Sequence, residues 1–212
     1  EYECHHVPAK TFRDVIQQFH SYYLYGFTAT PIRKNKDEKL IFMHIGNIIH
    51  EVFIPVKGIH NKQLSVTLQN TELSAPFNAS TDKVETLLNI LIHDTARNEM
   101  IVDDVKRETR AGRKILVLTE RKAHVEILQQ YMKGVCETIT LTGEDGEQNK
   151  KRKLQLIDAG DFQVLIATGQ YIGEGTDIGV LDCLILAYPF SFEGKLIQYI
   201  GRVQRSEVAP VI

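Results

Sequence analysis

From residue 81 onward, short apolar runs alternate with amphipathic stretches, and few folds accept that pattern. Ile115-Leu116-Val117-Leu118, Val164-Leu165-Ile166-Ala167 and Leu181-Asp182-Cys183-Leu184-Ile185-Leu186-Ala187 are continuous rather than alternating, the mark of parallel strands covered on both faces. Between them, apolar residues recur at helical spacing. One helical region opens at Thr81-Asp82, carries Val84, Leu87, Leu88, Leu91 and Ile92, continues through Met100, Ile101 and Val105, and closes at Gly112. Further helices are expected near 122–133, 147–159 and 194–204, with another strand near 135–141. Strands alternating with helices imply right-handed βαβ units and a parallel sheet. The expected class is α/β.

Composition agrees with a globular chain. Of 212 residues, 43% are hydrophobic and 25% charged, with 25 basic against 27 acidic residues and a net charge of −2; this excludes disordered and fibrous classes. No run of about 18 apolar residues exists, so no membrane partner is expected. The first residues lack the basic and apolar regions of a signal peptide. Cys4, Cys136 and Cys183 are scattered and odd in number, which argues for a reduced, cytoplasmic setting. Arg33-Lys34-Asn35-Lys36, Arg110 with Arg113-Lys114, and Lys150-Lys151-Arg152-Lys153 are local basic clusters. They read as solvated faces unless the fold lines them along a groove.

Before residue 81 the pattern is less regular. Phe12, Val15, Ile16 and Phe19 fall at helical spacing behind Thr11, a candidate N-cap. Tyr22 through Phe27 reads as a buried strand stopped by Pro31, and residues 37–50 as a helix followed by an extended piece. Residues 56–80 read as extended connecting segments.

Ligands of parallel sheets bind at the carboxyl ends of the strands. Three segments therefore stand out: Thr119-Glu120-Arg121, Thr142-Gly143-Glu144 and Thr168-Gly169-Gln170. The last opens the stretch Ala167 to Asp177, whose glycines suit a turn that cradles phosphate with backbone N–H groups. Further on, Gln198-Tyr199-Ile200-Gly201-Arg202-Val203-Gln204-Arg205 places Gln198, Arg202 and Arg205 on one helix face. Paired guanidiniums there suit phosphate; an exposed basic face is the other reading. Glu3-Cys4-His5-His6 lacks a second Cys or His pair at zinc-finger spacing, so no metal site is expected.

Taken in order, these pieces resemble the later motifs of superfamily-two helicases and translocases. Glu3-Cys4-His5-His6 resembles the end of motif II, and Gly26-Phe27-Thr28-Ala29-Thr30-Pro31 resembles motif III. Leu116 through Arg121 resembles motif IV, Ile166 through Asp177 motif V, and Gln198 through Arg205 the Gln-x-x-Gly-Arg-x-x-Arg of motif VI. Thr28-Ala29-Thr30-Pro31-Ile32-Arg33 and Leu186-Ala187-Tyr188-Pro189 bring the chain nearest to the DEAD/DEAH-like branch of XPB-like and restriction-enzyme helicases.

The resemblance implies two RecA-like domains with ATP between them and nucleic acid across both. On that basis residues 1–55 are the end of the first, ATP-binding domain, 56–80 connect, and 81–212 form the second, helicase C-terminal domain. No G-x-x-x-x-G-K-[ST] phosphate loop occurs in the 212 residues, so the rest of a first RecA-like domain is expected in cis, and the chain alone should be inactive. By the same resemblance Glu3 polarises the attacking water, while Arg202 and Arg205 reach the ATP phosphates, with Arg205 as arginine finger. Gly175, Asp177 and Gln198 border the nucleotide. Thr28 and Thr30 couple hydrolysis to movement, and Thr119, Arg121, Thr142 and Thr168 contact the nucleic-acid backbone. DNA, as a duplex, is the expected partner, with RNA left open and an accompanying nuclease or repair partner consistent with the branch.

One departure matters. The residue before Glu3 should be the Asp that holds Mg2+, and it is Tyr2; a phenol does not replace a carboxylate at a hard cation. Two readings follow: an ATP-dependent helicase or translocase, or a degenerate RecA-like module that binds nucleic acid or protein without catalysis.

Overall fold

The computed structural model describes residues 4–28, 37–52, 63–78, 80–173, 178–190, 193–206 and 208–212. The chain divides into two compact units. One comprises Glu1–Ile54 with Phe190–Gln198, the other Pro55–Pro189 with Tyr199–Ile212.

The second unit carries the sheet. Strands β1 (Ile115–Thr119), β2 (Thr138–Leu141), β3 (Val164–Thr168) and β4 (Cys183–Leu186) lie in the order β2-β3-β1-β4, and every pairing is parallel. The expected α/β class is borne out, as a RecA-like sheet. All five residues of β1 and of β3 are buried, which is why their sequences are continuous apolar runs. On one face Ile115, Val117, Val164, Ile166 and Cys183 pack with Ile101, Val102 and Val105 of α4 (Thr95–Arg110) and Val125, Leu128 and Met132 of α5 (Lys122–Met132). The alternate residues Leu116, Leu118, Leu165, Ala167 and Leu184 point to the other face and are equally buried. Ile157 of α6 (Glu147–Asp158), Ile172 of α7 (Gly169–Gly173), and Tyr199 and Val203 of α8 (Glu193–Val203) are also buried.

Helix ends follow local chemistry. The helical region after Thr81 is two helices, α3 (Val84–His93) and α4, because Asp94 takes an extended conformation between them and its carboxylate accepts the Arg97 N–H. Gly112 and Gly160 stand just past α4 and α6 with φ of 78° and 72°. There a side chain would be strained, and the backbone turns to satisfy the last carbonyls.

The amino edge of the sheet is tied by the basic pair Arg113-Lys114. Arg113 meets Glu108 at 3.2 Å and the Ala209 carbonyl at 2.9 Å. Lys114 Nζ donates to the Gly160 carbonyl at 2.7 Å and to that of Phe162. Arg113 and Lys114 are half-buried and brace the end opposite the strand C-termini, whereas Arg110 of the same cluster is exposed, the solvated face expected. Val211 pairs in parallel with both Cys183 and Ser65, so residues 210–212 run beside β4 and the extended residues 65–67 run beside them.

In the first unit, α1 spans Lys10–Ile16 and α2 Lys39–His44. Two expectations are corrected. The N-cap of α1 is Ala9, with no side-chain cap, instead of Thr11. Tyr22–Phe27 forms no strand and is exposed: Tyr22 by 90% and Phe27 by 63%. Among the described residues no strand lies alongside to complete a ladder, and an apolar run without one does not become a strand. Cys4, Val7 and Ile41 form a small core there, with Ile16 and Ile45 against it.

Candidate functional site

The strand order marks where a ligand belongs. From β1 the chain passes through α5 toward β2 on one side; from β3 it passes across β1 to β4 on the other. Neighbouring strands whose connections diverge open a crevice at their carboxyl ends. Those ends are Thr119 and Thr168, which are register partners. Thr142 follows Leu141, whose partner is Ala167. The three threonines expected at a backbone contact are thus brought to one edge of the sheet.

Their environments differ. Thr119 is wholly enclosed: its hydroxyl lies 2.9 Å from His124 Nδ1 and accepts the Arg121 N–H at 3.3 Å. Thr168 keeps 8% exposure. Thr142 is half-buried and opens a turn in which its N–H donates to Asp145 at 3.0 Å. Lys153 holds the same Asp145 carboxylate at 2.5 Å, and this partner together with the Thr142 N–H keeps its pKa low despite burial, which acts the other way. Lys150 Nζ sits 5.0 Å from the Tyr171 ring centre.

Arg121, next to Lys122, which pairs with Glu144 at 2.5 Å, is one of the cations at this edge. Its Nη2 donates to Glu85 at 2.6 Å and its Nε to the Tyr188 hydroxyl at 3.0 Å, and both partners, Glu85 first, raise its pKa further. Nη1 has no partner among the described residues, and about a third of the side chain is exposed. The guanidinium is therefore held along one side and offers the other, a geometry that suits a phosphate oxygen.

Behind Arg121 lies a buried polar group that the motifs did not flag. His124 Nε2 meets Asn98 Oδ1 at 3.1 Å, and Asn98 Nδ2 donates to the Ile92 carbonyl at 2.9 Å. Burial chiefly, with the charge of Arg97, lowers the His124 pKa to about 4. Arg97 donates to the Ala187 carbonyl at 2.8 Å. Sequence reading passed over these residues because a His or Asn inside an amphipathic helix carries no signal of its own.

Motif V departs from the expected glycine turn at its start, since Gly169–Gly173 is helical. Gly169 is needed for close approach: a Cβ there would overlap the Tyr199 hydroxyl and come 2.7 Å from Glu120 Oε1. Tyr199 is fully buried and bonds Glu120 at 3.4 Å, and burial together with that carboxylate raises its pKa. Residues of motifs IV, V and VI meet at this point.

Of the motif VI residues, Arg202 lies in the last turn of α8. The helix closes at Val203, so the exposed Arg205 stands in the turn beyond instead of on the helix face. Gln198 is half-buried on α8, within the part grouped with the first unit. In that unit His5 Nδ1 lies 3.0 Å from the Thr28 hydroxyl and Cys4 N–H donates to the Phe27 carbonyl at 3.0 Å, which sets the motif II and motif III segments side by side. Glu3, Thr30, Gly175 and Asp177 lie outside the described residues, as do Tyr2 and the cluster Arg33 to Lys36. Among the described residues no group of three His, Cys, Asp or Glu side chains converges as a metal cage. None of their helices is long and apolar enough to cross a membrane.

The family model of the helicase conserved C-terminal domain matches residues 82–207, more than half the chain. The chain belongs to this family. Its place among the superfamily-two helicases, expected from the motifs, is borne out. A second model, the res subunit of type III restriction enzymes, matches residues 3–33. L396 of Acanthamoeba polyphaga mimivirus, whose name carries the words ATP-dependent RNA helicase, is 26% identical over 97% of this chain and 40% of its own length. IRC3 of Saccharomyces cerevisiae, whose name carries ATP-dependent helicase, is 25% identical over 94% of this chain and 30% of its own. This helicase-family chain thus spans 30–42% of the length of the curated relatives it matches. Among solved structures, S. cerevisiae Dbp5 L327V bound to RNA and ADP BeF3 superposes with a TM-score of 0.59, at 15% identity, over 99% of this chain and 50% of that one. T4 UvsW gives a TM-score of 0.51 at 17% identity over 62% and 28%. These likenesses are of fold.

Proposed function

We propose that this helicase-family chain is part of an ATP-dependent motor that moves along nucleic acid, with duplex DNA as its track. The observation that carries the reading is the strand edge where Arg121, Thr142 and Thr168 gather at the divergence of β1 and β3. A guanidinium with one open N–H side and flanking hydroxyls supports contact with the sugar-phosphate backbone, which fixes position without reading sequence, as a translocating protein requires. Thr119 is left out of that contact, since its hydroxyl is enclosed. Lys150 and Lys151, near the start of α6, which follows β2, add positive charge to the chain just past that strand.

For ATP, the residues that fit are Arg202 and Arg205, whose guanidiniums suit phosphate oxygens; Gln198, Gly175 and Asp177 complete the proposed nucleotide border. ATP would supply the phosphoryl transfer that drives movement, with Arg205 as the finger, Glu3 orienting water, and Thr28 and Thr30 coupling the step to motion. The rest of a first RecA-like domain acts in cis, and a nuclease or repair protein fits as partner in a cytoplasmic setting. No residue of the described set is assigned to Mg2+. The alternative, a degenerate binding module, rests on Tyr2 at the place of the acid.

The test is equilibrium binding of a short labelled duplex, with matched RNA as comparison because L396 carries RNA in its name. Affinity should fall steeply between about 50 and 200 mM salt. Arg121→Gln should weaken binding across sequences and lower the salt slope by about one. Affinity indifferent to salt, or an unchanged Arg121→Gln variant, would remove the phosphate-contact reading. Tighter binding to RNA would move the track from DNA to RNA.

A further inference from the structure

We infer that His124 is a positioning residue for Arg121, acting through a buried hydrogen-bonded relay that starts on α3 and ends on the backbone amide of Arg121. The inference rests on the reading of Arg121 as a phosphate contact.

The relay can be read in one direction only. The Asn98 amide donates to the Ile92 carbonyl, so the oxygen of that side chain faces His124 and accepts from Nε2–H. A neutral imidazole with its proton on Nε2 leaves Nδ1 bare, so Nδ1 accepts the Thr119 hydroxyl proton. The Thr119 oxygen then accepts the Arg121 N–H. Asn98, His124 and Thr119 are each 0% exposed. Reversing a link would set donor against donor or acceptor against acceptor in a site water does not reach, at the cost of a buried unmade bond.

A second line reaches the guanidinium. Arg97, the neighbour of Asn98 on α4, donates to the Ala187 carbonyl. Ala187 directly precedes Tyr188, whose hydroxyl accepts from Arg121 Nε. Two adjacent residues of α4 therefore govern both ends of Arg121: Asn98 its amide, through His124 and Thr119, and Arg97 its side chain, through the Tyr188 segment. A relay serving only the core would have no reason to end on the residue that offers its free N–H side at the strand edge.

The experiment is a double-mutant cycle on the 212-residue chain, read as the dissociation constant for a short fluorescent DNA duplex. The variants are His124→Leu, Arg121→Gln and the pair. Both single changes keep the buried site free of new charge, since His124 is neutral there. Positioning predicts that His124→Leu weakens binding about tenfold in the parent and under about twofold when Arg121 is already Gln. Its salt slope should drop toward that of Arg121→Gln. Thr119→Val, which keeps the shape and removes the hydroxyl, carries the same expectation and serves if His124→Leu does not fold. An equal loss in both backgrounds would mean that the relay is scaffolding alone and would overturn the inference. If Arg121→Gln itself binds like the parent, the phosphate-contact reading fails first and takes the inference with it.

Discussion

Gly169 shows how far a single residue can be read. It belongs to a glycine-rich stretch after a strand, which pointed to a turn that cradles phosphate. The structure gives a different reason for glycine: the Tyr199 hydroxyl and the Glu120 carboxylate occupy the space a Cβ needs. Backbone and a buried tyrosine have little room to yield. Gly169→Ala should therefore destabilise the chain by about 1–3 kcal/mol, measured by urea unfolding; a change within experimental error would mean that Tyr199 repacks freely. The strand-end positions of Arg121 and Thr168 were legible because the apolar runs of β1 and β3 are unmistakable, whereas Thr142 follows the alternating Thr138–Leu141 and was placed by the βα rhythm alone. Asn98, His124 and Arg97 were not, because hydrogen-bond partners far apart in sequence define them and no local pattern records those partners.

At the scale of elements, the buried strands and amphipathic helices of the second unit were legible because covered strands must be continuously apolar. Tyr22–Phe27 carries a strand's composition without a strand's neighbour among the described residues, and the ladder is a property of the pair. The joint between α3 and α4 was invisible to apolar spacing, since Asp94 breaks the helix through its backbone conformation and caps the next one. The seam of α4, α5 and β1 also has a pH signature. His124 is held neutral, with its pKa near 4 against an ordinary 6.5, mainly by burial and then by Arg97 and His93. Between those values the unfolded chain takes up a proton that the folded chain refuses. Stability is thus complete above about pH 6.5 and falls toward pH 4, by about 3 kcal/mol at most. Unfolding free energy followed from pH 7 to 4 should show this slope, and His124→Gln should flatten it. An unchanged slope in that variant would place the titration elsewhere.

For the molecule as a whole, family membership was legible because several motifs stand in the right order, although any one of them is weak. Its energetics lead to a further expectation. Arg202 and Arg205 are proposed to answer the ATP phosphates, yet the 212 residues contain no phosphate-loop sequence. The 212 residues alone should turn over no ATP, whereas a longer protein that adds the phosphate loop should show nucleic-acid-stimulated turnover, lowered about 10³-fold or more by Arg205→Ala. Phosphate release assays on both check this. Turnover by the chain alone would overturn the division proposed for residues 1–55 and 81–212, and a longer protein that binds but does not hydrolyse would favour the degenerate module that Tyr2 suggests. The pairing of Ser65 and Cys183 with Val211 also bears on how such a protein is made. While the chain emerges from the ribosome, residues 63–67 have been out in solvent long before Val211 is synthesised, and that edge of the sheet closes only then. Such late, distant closure is slow and exposes an open strand edge in the meantime, so it is at this stage of biosynthesis that a chaperone would find its substrate.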